Sequence, residues 1–158
     1  MKITLDGREV NAQDGQTVLE AARAHGIYIP SLCWHPRTGK AGRCRACLVE
    51  VDGLPGLKES CAIEAQDGMI IRTDTPEIHS IRRMVVELLL ANDQHHCLSC
   101  EANGACELQE MAYKLGIERP AFLMNEEKFE LDESSEGIVR DQGKCIQCGR
   151  CVTACNHL

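Results

Sequence analysis

Eleven cysteines in a chain of 158 residues fall into three groups of regular spacing. The first group is Cys33, Cys44, Cys47 and Cys61, the second is Cys97, Cys100 and Cys106, and the third is Cys145, Cys148, Cys151 and Cys155. In a reducing compartment, cysteines at regular spacing bind metal more often than they form disulfides. The pattern therefore predicts small modules that are organised around metal.

Composition supports several small modules and excludes some functions. Only 3% of the residues are aromatic, which is too little to fill one large core. The net charge of −7 gives no support to nucleic-acid binding and suits docking onto other proteins. The longest apolar run, Met84 to Ala91, is too short to span a bilayer, and the N-terminus lacks the apolar stretch of a secretory signal. We expect a cytoplasmic protein with no membrane span.

Residues 1–74 predict a small mixed sheet with one helix across it, an α+β fold of the ubiquitin-like or β-grasp type. Asp6-Gly7 favours the tight turn of a β-hairpin, and Gly26 lies where a helix C-terminal cap belongs. The predicted elements, in chain order, are strands at 2–5 and 8–10, a helix at 17–25, and strands at 47–51 and 68–73.

Residues 75–116 predict a two-helix module. Its first helix begins at Thr75-Pro76 and carries an apolar stripe formed by Ile78, Ile81, Met84, Val85, Leu88 and Leu89. The second helix, near 107–115, places Leu108, Met111, Ala112 and Leu115 on one face and ends at Gly116. The acidic segment 117–137 reads as a surface connector, and a third, short module occupies 138–158.

The first cysteine group is close to the pattern of plant-type [2Fe–2S] ferredoxins, which use C-x4-C-x2-C and a distant fourth cysteine. Here the first loop is longer and contains Gly39 and Gly42. Glycines there let backbone N–H groups approach the sulfur atoms of a negatively charged cluster. A zinc site is the alternative, although zinc ligands usually come as two short C-x2–4-C pairs.

The third group, Cys145-x2-Cys148-x2-Cys151-x3-Cys155, matches the bacterial ferredoxin run that binds [4Fe–4S] clusters. In two-cluster ferredoxins the first three cysteines bind one cluster and the fourth binds its neighbour. We therefore assign Cys145, Cys148 and Cys151 to one cluster and Cys155 to a further one. Because no second run follows before Leu158, we expect the remaining ligands to lie outside these 158 residues.

The middle group offers three cysteines, Cys97, Cys100 and Cys106, just after His95 and His96. Three thiolates leave one iron of a [4Fe–4S] cluster without a protein sulfur, and an imidazole can supply the fourth bond. Either histidine can fill this role on spacing alone.

With these groups in order, the chain resembles an N-terminal iron–sulfur region shared by several oxidoreductases. These are the large iron–sulfur subunit of respiratory complex I, NAD-linked formate dehydrogenases, [FeFe]-hydrogenases and the diaphorase small subunit of NAD-reducing hydrogenases. The resemblance covers essentially the whole chain and rests on four motifs, Ile29-Pro-Ser-Leu-Cys33, Gly42-Arg-Cys-Arg-Ala-Cys47, Cys97-Leu-Ser-Cys-Glu-Ala-Asn-Gly-Ala-Cys-Glu-Leu-Gln109 and Lys144-Cys-Ile-Gln-Cys-Gly-Arg-Cys151.

The resemblance implies a [2Fe–2S] ferredoxin domain, a [4Fe–4S] cluster bound by one His and three Cys, and the start of a ferredoxin-like domain with further [4Fe–4S] clusters. It also implies a flavin or NADH subunit, or ferredoxin, on one side and a catalytic molybdenum, tungsten or hydrogenase-type domain on the other. The ending Cys151-Val-Thr-Ala-Cys-Asn-His-Leu is closer to formate-dehydrogenase-like members.

The sequence departs from the family at the fourth ligand of the middle cluster. Most members place a histidine four residues before the first cysteine, where this chain has Asp93. A carboxylate matches cluster iron less well than imidazole does. His96 is adjacent to Cys97, and neighbouring side chains of an extended segment point apart, so His95 is the expected ligand.

The sequence thus predicts electron transfer along a chain of clusters, with no substrate active site in these residues. A free-standing ferredoxin, an [FeFe]-hydrogenase segment and a zinc-stabilised scaffold are the alternatives.

Overall fold

The computed structural model describes residues 1–39, 42–92, 96–125, 127 and 129–157. The chain divides into two compact units, Met1–Arg82 with Gly149–Leu158, and Arg83–Cys148. The elements are β1 Lys2–Leu5, β2 Arg8–Asn11, α1 Val18–Ala24, β3 Leu48–Val51, β4 Lys58–Glu59, β5 Ile70–Arg72, α2 Pro76–Ala91, α3 Glu107–Lys114, β6 Leu131–Ser135, β7 Ile138–Asp141 and α4 Arg150–His157. Among the described residues no helix is long and apolar enough to cross a bilayer.

The first unit is built on a five-stranded mixed sheet in the order β2-β1-β5-β3-β4. Strand β1 pairs with β2 in antiparallel and with β5 in parallel orientation. The predicted α+β class is confirmed, and so is the chain order of two strands, a helix and two further strands. The two-residue strand β4, which pairs with β3, is additional. It carries no alternating apolar pattern, so the sequence offered no signal for it.

The turn between β1 and β2 ties the first hairpin to the end of β5. Asp6 and Gly7 both have positive φ, 49° and 81°, as a type I′ hairpin turn requires. The Asp6 carboxylate accepts hydrogen bonds from the Thr73 backbone N–H at 2.7 Å and from the Thr73 hydroxyl at 2.6 Å. The side chain that favours the turn therefore also anchors the strand that pairs with β1 in parallel.

Helix α1 begins with a capping box. The Thr17 hydroxyl accepts from the Glu20 N–H, and the Glu20 carboxylate accepts from the Thr17 N–H at 2.9 Å. The helix ends where Gly26 takes a φ of 71°. Four helix residues are fully buried against the sheet, namely Val18, Leu19, Ala21 and Ala22. They join a core that also contains Cys47 and Cys61.

Helix α2 buries only part of the predicted apolar stripe, since Ile78 is fully buried and Ile81, Val85 and Leu89 are half-buried. Met84 and Leu88 are about half exposed, at 51% and 48%, whereas Val86 is buried and Arg82 is only 7% exposed. The helix thus turns a cation inward and two apolar side chains outward. Hydrophobic periodicity could not reveal this, because Arg82 is held by hydrogen bonds to backbone carbonyls.

In the second unit, helix α3 buries Leu108, Met111 and Ala112, as its periodicity predicts. Arg83 donates to the Leu115 carbonyl at 2.8 Å, which satisfies one of the unpaired carbonyls at the end of α3. The segment predicted as a connector instead contains strand β6, which pairs with β7 in a hairpin across the expected boundary at 137. The division at 74, 116 and 137 remains a prediction.

Replacing Asp6 by Ala tests the link between the hairpin turn and β5. We expect the free energy of unfolding to fall by about 1–2 kcal/mol, because two hydrogen bonds to a carboxylate are lost and Ala tolerates a positive φ poorly. Thermal unfolding of the purified protein would measure the change. The matched control is Asp67→Ala, which removes one exposed hydrogen bond to the Lys2 N–H. A decrease for Asp6→Ala no larger than that of the control would contradict the proposed link.

Candidate iron–sulfur cluster sites

The four cysteines of the first group come from separate parts of the first unit. Cys33 lies on the loop after α1, Cys44 and Cys47 lie on the loop that leads into β3, and Cys61 follows β4. All four are buried, three of them at 1% exposure and Cys44 at 9%. The fold therefore brings together side chains up to 28 positions apart (61 − 33 = 28) and removes them from water.

Hydrogen bonds link the four side chains, because Cys44 donates to Cys33 and Cys61 donates to both Cys33 and Cys47. A hydrogen bond from Cys61 lowers the pKa of Cys47 to about 6. Hydrogen bonds from Cys44 and Cys61 lower the pKa of Cys33 as well. Hydrogen bonding to Cys33 raises the pKa of Cys44 and of Cys61. Within the set, Cys44 and Cys61 therefore act as donors, and Cys33 and Cys47 act as acceptors whose pKa values are lowered.

Backbone N–H groups also point at these sulfur atoms. The Leu32 N–H donates to Cys44 Sγ at 3.4 Å, and the Ala46 N–H acts to lower the pKa of the same thiol. The N–H groups of Arg43 and Cys44 help to lower the pKa of the Cys33 thiol. Arg45 has a φ of 56°, an uncommon conformation for a side chain other than Gly. The loop therefore accepts a strained backbone between Cys44 and Cys47.

Ser60 places a hydroxyl beside the same sulfurs. Its side chain is fully buried, and within the described part of the chain its Oγ has no partner that meets hydrogen-bond geometry. It nevertheless lies close enough to Cys47 to help lower the pKa of that thiol. A buried O–H donor that faces sulfur suits an anionic group. Four buried thiols with N–H and O–H donors fit the needs of a [2Fe–2S] cluster.

The side chains around the first cysteine group are not arranged to bind a single metal ion. Within residues 1–39, 42–92, 96–125, 127 and 129–157, no three His, Cys, Asp or Glu side chains have the geometry to hold a single metal ion.

The middle group lies in the second unit, on a turn that α3 continues. Cys97 begins a short 3₁₀ helix, Cys97–Ser99, and Cys106 is the N-cap residue of α3. Gln109, only 8% exposed, spans the loop between these elements. Its Oε1 accepts from the Gly104 N–H and its Nε2 donates to Asn103 Oδ1, both at 2.8 Å. Gln109 thus braces the loop that separates Cys100 from Cys106, a role that its apolar neighbours on α3 did not indicate.

The predicted fourth ligand lies outside the described residues. Both His95 and Asp93, the residue at the family's usual position, belong to the segment 93–95 that the structure does not describe. His96 is described and exposed, and its carbonyl accepts from the Ser99 N–H at 3.0 Å. The assignment to His95, with His96, Asp93 or a group outside the chain as alternatives, therefore remains a prediction.

The third group is divided between the two units. Cys145 and Cys148 belong to the second unit, in which the Arg140 guanidinium lies 4.0 Å from Cys145 Sγ. Cys151 and Cys155 are exposed on α4, which belongs to the first unit. Each pair is therefore placed within its own unit.

Helix α4 packs against the loops of the first cysteine group. The Arg150 guanidinium donates to the carbonyl of Trp34, next to Cys33, at 2.8 Å. Gly149 has a φ of 76°, and a Cβ atom there would come within 2.9 Å of Arg43 Nε. Only glycine fits this position without displacing Arg43. The sequence alone did not indicate this contact between the first and third groups.

Two family models match the chain. Residues 1–76 match the 2Fe-2S iron-sulfur cluster binding domain, and residues 82–121 match the NADH-ubiquinone oxidoreductase-G iron-sulfur binding region. The cofactor prediction of [2Fe–2S] and [4Fe–4S] clusters is thereby confirmed.

Relatives match over nearly the full chain. The NADP-reducing hydrogenase subunit HndD of Solidesulfovibrio fructosivorans is 38% identical over 99% of this chain and 28% of its own length. The mitochondrial NADH-ubiquinone oxidoreductase 78 kDa subunit of Candida albicans is 36% identical over all of this chain and 22% of its own length. The chain thus spans less than a third of these relatives.

A solved structure agrees with the sequence matches. The crystal structure of an NAD+-reducing [NiFe]-hydrogenase in the H2-reduced state is 40% identical, with a TM-score of 0.91, over 97% of this chain and 64% of the matched chain. The sequence motifs, the buried thiols and the similar proteins all indicate that the chain binds iron–sulfur clusters. The chain thus carries a [2Fe–2S] cluster binding domain and an NADH-ubiquinone oxidoreductase-G iron–sulfur binding region, and over nearly all of its length it is similar to subunits of NADH–ubiquinone oxidoreductases and of NAD(P)-reducing hydrogenases.

Proposed function

We propose that this chain relays single electrons along a series of clusters between an NADH- or ferredoxin-linked donor and a catalytic domain. The observation that carries the proposal is the buried set of four cysteines, Cys33, Cys44, Cys47 and Cys61, with N–H groups directed at its sulfurs. A bound cluster supplies a reversible one-electron centre. The protein holds the irons, excludes water and stabilises negative charge on sulfur.

The proposed ligand sets follow the three groups. The proposed ligands of the [2Fe–2S] cluster are Cys33, Cys44, Cys47 and Cys61, and those of the first [4Fe–4S] cluster are His95, Cys97, Cys100 and Cys106. A second [4Fe–4S] cluster is bound in part by Cys145, Cys148 and Cys151, and a further one in part by Cys155. Support for the middle set includes the position of Cys106 at the start of α3, where the helix dipole favours negative charge. Support for the last set is the spacing of its cysteines.

The proposed partners are a flavin- or NADH-binding subunit and a downstream catalytic domain. The sequence favours a formate-dehydrogenase-like partner with molybdenum or tungsten, whereas the similar proteins named above are a hydrogenase subunit, an NADH–ubiquinone oxidoreductase subunit and a hydrogenase. Electron donation to a viologen dye by the purified complex would distinguish formate from H2 as the substrate. None of the eleven cysteines, all of which the structure describes, forms a disulfide, which suits a reducing, cytoplasmic location.

Metal content gives the first test. Protein purified without oxygen should contain iron and acid-labile sulfide well beyond the two of each that one [2Fe–2S] cluster needs. The expectation follows from three groups of cysteines. Iron and sulfide assays with metal analysis would measure it. Stoichiometric zinc with negligible sulfide would contradict electron transfer and favour the zinc-stabilised scaffold.

Replacing Cys44 by Ser should abolish the [2Fe–2S] signal in the electron paramagnetic resonance (EPR) spectrum and leave the [4Fe–4S] signals. A hydroxyl replaces a buried thiolate ligand, and the change lies within the first unit. The matched variant is Cys106→Ser in the second unit, which should affect only a [4Fe–4S] signal. Joint loss of all signals in both variants would show that the sites are not independent.

The fourth ligand of the middle cluster is tested with histidine labelled with ¹⁵N. Pulsed EPR of the reduced protein should show a nitrogen coupled to a [4Fe–4S] cluster, and the coupling should disappear in His95→Ala. His96→Ala is the control and should retain the coupling. The opposite result, or a coupling that survives in both variants, would contradict the assignment to His95 while leaving the three cysteine ligands in place.

A further inference from the structure

Arg82 is a buried arginine of α2 whose guanidinium lies against the loop that carries Cys47. Its Nε donates to the Ala46 carbonyl at 3.0 Å, and a terminal nitrogen donates to the Leu48 carbonyl at 2.7 Å. These carbonyls belong to the residues immediately before and after Cys47. The side chain is 7% exposed. One arginine thus holds the backbone on both sides of a proposed ligand.

The bonds of Arg82 also orient the Cys47 backbone. The Ala46 carbonyl and the Cys47 N–H belong to one planar peptide group, so a bond that fixes the carbonyl fixes the direction of the N–H. The Cys47 carbonyl is held separately by the Ser60 N–H at 3.0 Å. Three successive carbonyls of this loop therefore have assigned donors, and Arg82 supplies two of them.

The charge of Arg82 has no direct ion-pair partner among the described residues, although Asp74 and Asp6 act on it from further away. Within the described part of the chain, none of the ion pairs includes Arg82. Burial lowers the pKa of Arg82, while negative charge on Asp74 and Cys47 opposes that shift. A guanidinium nevertheless stays protonated in proteins. Because burial weakens screening, its positive charge acts more strongly on nearby sulfur than a surface charge does.

We propose that Arg82 is a positioning residue for Cys47 and that its buried charge raises the reduction potential of the [2Fe–2S] cluster. The inference rests on the proposed ligand set of that cluster. One electron from reduced flavin or ferredoxin adds one negative charge at the site, no bond forms or breaks, and no proton is required. The guanidinium stabilises the added charge and so favours the reduced form.

The test is a redox titration of Arg82→Gln, followed through the EPR signal of the reduced [2Fe–2S] cluster in protein purified with its clusters. Gln keeps a donor group and removes the charge. At a fixed potential, the ratio of reduced to oxidised cluster should fall about tenfold or more, which corresponds to about 59 mV for one electron.

Two further variants separate charge from structure. Arg72→Gln removes an exposed arginine of the same unit that is already paired with Glu50 and Asp52, and it should change the ratio less than threefold. Arg82→Lys keeps the charge but cannot reproduce the planar fork of the guanidinium. Its ratio of reduced to oxidised cluster should therefore stay within threefold of that of the unchanged protein, and it should lose its cluster faster on heating than the unchanged protein does.

An unchanged potential in Arg82→Gln, or a shift in Arg72→Gln of equal size, would overturn the inference. If Arg82→Gln assembles no cluster, the test rests on Arg82→Lys. A tenfold or larger change in the ratio of reduced to oxidised cluster in that charged variant would also overturn the inference. Failure of the proposed function looks different. In that case the unchanged protein would show no [2Fe–2S] signal at all.

Discussion

The structure of the first unit depends on one electrostatic requirement, the stabilisation of negative sulfur in a core that excludes water. Cys33, Cys47 and Cys61 are each about 1% exposed, so solvent cannot supply the compensation. Backbone N–H groups contribute instead, since those of Cys44 and Arg43 help to lower the pKa of Cys33 and that of Cys61 helps to lower the pKa of Cys47. That arrangement requires tight loops, and the positive φ of Arg45 is one consequence. The strain is supported by the rigid sheet from which the loops emerge.

The two units hold their cysteines in place in different ways. The first embeds Cys47 and Cys61 in a hydrophobic core built by α1 and the five-stranded sheet. In the second, Cys97, Cys100 and Cys106 are only partly buried, and a side-chain brace from Gln109 orders the loop between them. A hydrophobic core is needed to bring together cysteines from distant parts of the chain, whereas the hydrogen bonds of one side chain can order a loop whose cysteines lie within ten residues of one another (106 − 97 = 9).

Local features were predictable where a few neighbouring residues decide the conformation. Asp6-Gly7 defines its turn through positive φ, and Thr17 with Glu20 starts α1 through a capping box. Prediction failed where distant partners decide. Strand β4 exists because β3 offers it hydrogen bonds, and α2 is rotated because Arg82 finds two carbonyls. The hairpin of β6 and β7 is exposed and acidic, so its composition indicated only a connector.

The sequence by itself determined the cofactor class. The spacing of the cysteines sets how many thiolates one loop can bring to a cluster, and [2Fe–2S] and [4Fe–4S] clusters are bound by different spacings. The sequence also determined the α+β class of the first unit. Only the tertiary structure decided which donors surround the sulfurs, that a buried arginine flanks Cys47, and that Gly149 and Arg150 pack helix α4 onto the loops around Cys33. Such contacts join residues up to 116 positions apart. Sequence periodicity reports which residues prefer burial, but hydrogen-bond partners and uncompensated charges exist only once the chain has folded.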